Sequence, residues 1–154
     1  MKIRKAKKEN FKKIMELNHG LTEYHSKIDD YYVDAKENAK RFKKHLDEIA
    51  KKKNFCILVA EDKNEVVGFL VGRVDKPRAY AKPKKIGMLS TAFVEAKVRR
   101  SGIGEKLFKE FLAFCKKNKV KNIELSVDCR NLIGQGAWKK FGFKDFMKRM
   151  RMDL

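Results

Sequence analysis

Proline occurs only twice in the 154 residues and cysteine three times, and no long apolar run is present. Each scarcity narrows the field. Pro77 and Pro83 punctuate one stretch, so they mark a loop and leave no room for a proline-rich linker. Cys56, Cys115 and Cys129 are an odd number set far apart, which fits neither a disulfide framework nor the paired short spacings of a zinc site. Cys56 lies in the apolar run Phe55-Cys56-Ile57-Leu58-Val59, and Cys115 falls on the apolar face of a helical pattern, so both read as small buried hydrophobes. His19, His25 and His45 have no cysteine at ligand spacing, and no metal is expected. Nothing approaches the ~18–20 consecutive apolar residues of a membrane-spanning helix. The basic start Met1-Lys2-Ile3-Arg4-Lys5 is followed by polar residues where a signal peptide has its apolar region. The expectation is a cytoplasmic protein with no membrane partner.

Acidic residues are also short. Twenty Asp and Glu face 39 Lys and Arg, for a formal net charge of +19 spread along the chain. That field attracts polyanions such as nucleic acid or a phosphorylated cofactor. A lysine-rich surface that is merely solvated accounts for the charge equally well, and no interleaving of arginine with aromatics marks an RNA-binding motif. A nucleic-acid partner is compatible with this charge and not required by it. Hydrophobic residues make up 43% of the chain, ample for a packed core, and neither a linker nor a repeat divides it, so residues 1–154 are expected to form one domain.

Periodicity predicts the elements. Lys2 to Lys5 reads as a short strand. Phe11, Ile14, Met15, Leu17 and Leu21 have helical spacing, and Asp34 to Lys52 carries a second amphipathic pattern. Phe55–Glu61 and Val66–Val74 are β-rich runs on either side of Asp62-Lys63-Asn64-Glu65, a hairpin signal. A strand over Ile86–Glu95, a helix over Gly102–Lys117, a strand over Val120–Val127, a short helix over Leu132–Phe141 and a last strand over Phe143–Met152 complete the order β-α-α-β-β-β-α-β-α-β. This is an α/β fold, a central mixed sheet with helices on both faces.

The informative segment is Arg99-Arg100-Ser101-Gly102-Ile103-Gly104, where a strand passes into a helix. Glycines two apart let the backbone approach a bulky anion, and the first helical turn offers unpaired N–H groups and the positive end of the dipole. Arg99 and Arg100 add full charges, so the segment reads as a pyrophosphate seat. Gly-x-Gly alone is also satisfied by an ordinary tight turn. A Rossmann fingerprint would need a third glycine and an acidic ribose partner, and a Walker loop would need Gly-Lys-Ser/Thr; neither is present. The Arg-x-x-Gly-x-Gly motif after an apolar strand resembles the acyl-CoA-binding motif of the GNAT N-acetyltransferase superfamily. Leu125-x-Val127, Asn131 and Trp138-Lys139-Lys140-Phe141-Gly142-Phe143 match further parts of that pattern, and the resemblance runs from Val66-Val67-Gly68-Phe69 through Phe143.

The resemblance implies an acyl-CoA-dependent N-acetyltransferase in which an amine attacks the thioester of acetyl-CoA directly, without metal. It implies backbone bonds from Phe93 and Val94 to the pantetheine arm, a pyrophosphate held by Arg99, Arg100, Ser101, Gly102, Ile103 and Gly104, and a contact from Asn131 to the cofactor or its loop. Asn131 also has the composition of a helix N-cap. The sequence departs from the family at two catalytic places. No carboxylate stands between Ile86 and Val94, and the usual tyrosine of the short helix is Trp138, whose indole is no practical acid. Glu95 and Asp128 are the available substitutes for a base, beside bulk water. Cys129 has no histidine partner and direct transfer needs no such nucleophile.

On the acceptor side, Asp29-Asp30-Tyr31-Tyr32 forms an acidic and aromatic island in a basic chain. Carboxylates and tyrosine faces suit a cationic amine, on a small polyamine-like molecule or a protein; turn capping and packing on the sheet are the alternative roles for these four. Two other readings of the whole chain stay open: a non-catalytic acyl-CoA-binding module, and a nucleic-acid-associated protein using its basic surface. The resemblance also brings in a homodimer as an assembly frequent in the superfamily.

Overall fold

The computed structural model describes residues 1–154. Five strands form one sheet in sequence order: β1 (Lys2–Lys5), β2 (Phe55–Asp62), β3 (Glu65–Asp75), β4 (Ile86–Val94) and β5 (Ile123–Leu125). The first four pair antiparallel, and β5 joins β4 parallel after the crossover helix α3 (Ile103–Lys117). Between β1 and β2 lie α1 (Phe11–Ser26) and α2 (Ala35–Ile49), and α4 (Leu132–Lys140) follows β5. No helix is long and apolar enough to cross a membrane.

Strand alternation assigns the two faces. Val59, Phe69 and Val71 meet Ile14 and Leu17 of α1 and Leu46 and Ile49 of α2. Cys56, Leu58, Ala60 and Leu70 turn the other way, onto Leu107, Phe108, Phe111 and Cys115 of α3. Cys56 and Cys115 are buried, as their apolar settings predict, and burial pushes both thiols up to about 11. At Gly72 a Cβ would stand 2.3 Å from the Phe111 ring. Only glycine lets α3 lie this close to the sheet at that point.

Caps set two helix starts. Asp34 accepts from the Glu37 N–H at 2.8 Å to open α2, and Asn131 accepts from the Gly134 N–H at 2.8 Å to open α4. The predicted elements otherwise differ from the observed ones mainly near the carboxyl end. The strand expected over Val120–Val127 is only Ile123–Leu125, because its pairing with β4 stops at Leu89↔Leu125. The last strand expected over Phe143–Met152 does not form, and no backbone hydrogen bond involves residues 144–154. The residues alternate as a strand does, but a strand needs an edge to pair with. The three-residue edge of β5 offers too few ladder bonds to hold it.

Candidate active site

The site lies where β4 and β5 part. β4 runs on to Val94, paired with β3, while its pairing with β5 ends at Leu89. A bulge helps: Val71 faces Thr91 and Gly72 faces Leu89, leaving Ser90 without a partner. Bulges bend the strand that carries them and end its pairing on one side. A cleft therefore opens at the carboxyl ends of two parallel strands, the usual position for ligands in α/β sheets.

The Arg99–Gly104 segment reaches the start of α3 just past the end of β4. Arg100 and Gly102 have φ of 64° and 81°, so this short stretch contains two left-handed residues. The N–H groups of Ser101, Gly102, Ile103 and Gly104 find no acceptor in the protein, and no side chain caps the helix. Such a run of N–H groups is an anion seat. Gly102 is favoured by its φ, which glycine adopts without strain. Gly104 is not required by the fold, since a Cβ there would meet only Phe141 at 3.8 Å, an ordinary contact. Arg99 folds back, donating to the Val94 carbonyl at 2.9 Å with its guanidinium 5.3 Å from the Phe93 ring centroid, whereas Arg100 makes no ion pair. Asn131 spends its carbonyl on the α4 cap.

Of the two carboxylates read from the sequence as substitute bases, neither is free. Glu95, at the end of β4, has Lys13 at 3.3 Å and Lys97 at 2.9 Å, the second in a contact without directed hydrogen-bond geometry. Lys97, then Lys13, hold its carboxyl below the usual range. Asp128, just past β5, is bound more tightly. It accepts from the Arg130 backbone N–H at 2.8 Å, from Arg130 Nε at 3.0 Å and NH2 at 2.9 Å, and from Tyr32 Oη at 2.7 Å. Arg130 first, then Tyr32, hold it far below the ordinary carboxylate range. A carboxylate so stabilised in its ionised form is a poor proton acceptor near neutrality.

Of the four residues expected on the acceptor side, Asp29 and Tyr32 join one polar cluster. Tyr32 bonds Asp128 directly, and Asp29 is joined to it through Arg130, whose NH2 lies 2.9 Å from both carboxylates. Burial lowers the pKa of His25 and Asp128 opposes that; its ring lies 5.4 Å from Tyr32. The Asp128 hydrogen bond raises the phenol of Tyr32. Tyr31 is 68% exposed and has the Arg151 guanidinium 4.7 Å from its ring centroid; Asp30 is exposed and makes no ion pair. Arg130 could have been suspected from its spacing to Asp128. Arg151 could not, because 122 residues separate it from its Asp29 partner.

Trp138 is a packing residue in this structure. Its half-buried ring sits against Phe108, Phe141 and Phe143 at 5.8–6.3 Å between centroids, and its indole N–H makes no hydrogen bond. No group of three or more His, Cys, Asp or Glu is placed to hold a metal ion.

Comparison with known proteins agrees with this architecture. Among curated proteins none matches the sequence. The BH1408 protein of Bacillus halodurans, as a tetramutant, superposes with a TM-score of 0.86 at 22% identity, covering 100% of both chains. The aminoglycoside 6'-N-acetyltransferase AAC(6')-Ig of Acinetobacter haemolyticus gives 0.81 at 16% identity, over 100% of this chain and 98% of that one. An aminoglycoside N-acetyltransferase, AAC(6')-Iy, solved in complex with CoA, gives 0.76 at 14% identity over 99% and 98%. At these identities the likeness is one of fold. The sequence model of the Acetyltransferase (GNAT) family matches residues 18–143, which include the strand cleft, the turn into α3 and the whole of α4, and the chain belongs to that family.

Proposed function

We propose that this acetyltransferase moves an acetyl group from acetyl-CoA to a primary amine on a small polyamine-like molecule or a protein. The observation that carries the reading is the run of unpartnered N–H groups from Ser101 to Gly104 at the mouth of the β4–β5 cleft. Pyrophosphate satisfies such groups, and the glycine at 104, which the fold does not need, keeps a Cβ out of its way. Arg100 adds a free charge. On this reading the backbone of Phe93 and Val94 meets the amide groups of pantetheine, which at Val94 means replacing the bond from Arg99, and Asn131 shapes the loop next to it.

The amine attacks the thioester carbon as its proton leaves, the C–S bond breaks, and the thiolate takes up a proton to give amide and CoA. Neither ion-paired carboxylate is suited to receive the amine's proton, so bulk water carries it. Asp128, neutralised by Arg130, serves instead to fix Tyr32 in place through its 2.7 Å hydrogen bond. Asp29, Asp30, Tyr31 and Tyr32 form the acceptor wall. The test is release of free thiol from acetyl-CoA in the presence of an amine panel spanning polyamines, aminoglycosides and lysine peptides. Amine-dependent release supports the reading; bound acetyl-CoA without release for any amine would replace it with a non-catalytic module.

A further inference from the structure

The acceptor wall already holds a cation of the protein's own. Arg151 places its NH2 3.1 Å from Asp29 Oδ2, and its guanidinium stacks at 4.7 Å over the Tyr31 ring. A carboxylate and an aromatic face are the two features that would recognise a charged amine. Two guanidinium groups reach Asp29, and they are held differently. The Arg130 guanidinium is held by two bonds to Asp128, with a third from its backbone N–H, and moves only if that cluster breaks. Arg151 belongs to residues 144–154, which make no backbone hydrogen bond to the protein. Phe146, Met150 and Met152 in the same segment are 76%, 90% and 79% exposed, so little packing retains it. Asp29 remains fixed if Arg151 leaves, because it still accepts from the Tyr31 N–H at 3.0 Å and still pairs with Arg130.

Resting on the acetyltransferase reading above, we propose that Arg151 occupies the subsite for a second positive charge of the acceptor, and that acceptor binding displaces the carboxyl-terminal segment. Arg151 is then a specificity-determining residue. An amine with one charge does not repay the loss of its contacts, while a di- or polycationic amine replaces them with its own. The acceptor class this selects is the polycationic amine.

The experiment is calorimetric titration of the full chain with spermidine at low salt, on the wild type, Arg151→Ala, Arg149→Ala and Asp29→Asn. Arg149 lies on the same segment but makes no ion pair, so its variant removes a charge without opening the subsite. Arg151→Ala should bind spermidine about three- to tenfold tighter than wild type, the worth of one exposed ion pair with a cation–π contact. Arg149→Ala should bind like wild type, and Asp29→Asn several-fold more weakly. Equal or weaker binding by Arg151→Ala overturns the proposal, as does an Arg149→Ala that matches it. Absence of spermidine binding in every variant overturns it too. Stabilisation of the same proteins by acetyl-CoA, measured alongside, shows whether that failure extends to the acetyltransferase reading or stops at Arg151.

Discussion

Asp128 and Trp138 settle different parts of the chemistry. The bonds from Arg130 and Tyr32 depress the folded pKa of Asp128, so its contribution to stability is present above the unfolded value near 4 and is lost as pH falls toward the folded one. Asp128→Asn should therefore melt several degrees lower than wild type at pH 7, with the gap constant down to about pH 5 and closing below about pH 4. A gap that does not change with pH would mean that the carboxylate's charge is not what matters. Trp138 packs among Phe108, Phe141 and Phe143 and makes no hydrogen bond, so Trp138→Phe should keep kcat within about threefold, while Trp138→Ala should cost about 2–3 kcal/mol of stability in denaturant titration. Loss of more than tenfold in kcat for the phenylalanine variant at unchanged stability would instead give the indole a part in catalysis.

At the scale of elements, the start of α3 separates what the fold needs from what the ligand needs. Gly104 sits at helical dihedrals with room for a methyl group, so Gly104→Ala should raise the stability of the free protein by up to about 1 kcal/mol. It should at the same time weaken acetyl-CoA binding, read by titration of both quantities in one variant. Unchanged affinity would leave Gly104 without a role in the seat. The motif was legible in the sequence because the left-handed backbone at Gly102 and the close approach of an anion at Gly104 both favour glycine at fixed positions. The helices were legible because α2 and α3 each bury one face, and the caps at Asp34 and Asn131 are local. The truncation of β5 and the absence of a strand after Phe143 were not, since alternation records a wish to pair and says nothing of whether an edge is within reach. The Arg130 and Arg151 contacts to Asp29 depend on three loops converging, which no local pattern encodes.

Over the whole molecule the charge of +19 acts on both substrates with opposite sign. On the proposed reading it would draw in the anionic CoA and repel a cationic acceptor until that acceptor came within reach of Asp29, Asp30 and Asp128. The affinity for acetyl-CoA should fall several-fold between about 50 and 300 mM salt as the Debye length shrinks below about 10 Å. Salt-independent binding would confine recognition to short-range contacts. The central claim, that the turn into α3 seats acetyl-CoA, is tested most directly by thermal unfolding with and without acetyl-CoA, for the wild type and for a folded variant in which Gly102 and Gly104 carry bulky side chains. At a hundredfold excess over the dissociation constant the wild type should gain about 2.7 kcal/mol, a rise of about 5–10 °C, and the variant should gain none. No rise in the wild type, or an equal rise in both proteins, would contradict it.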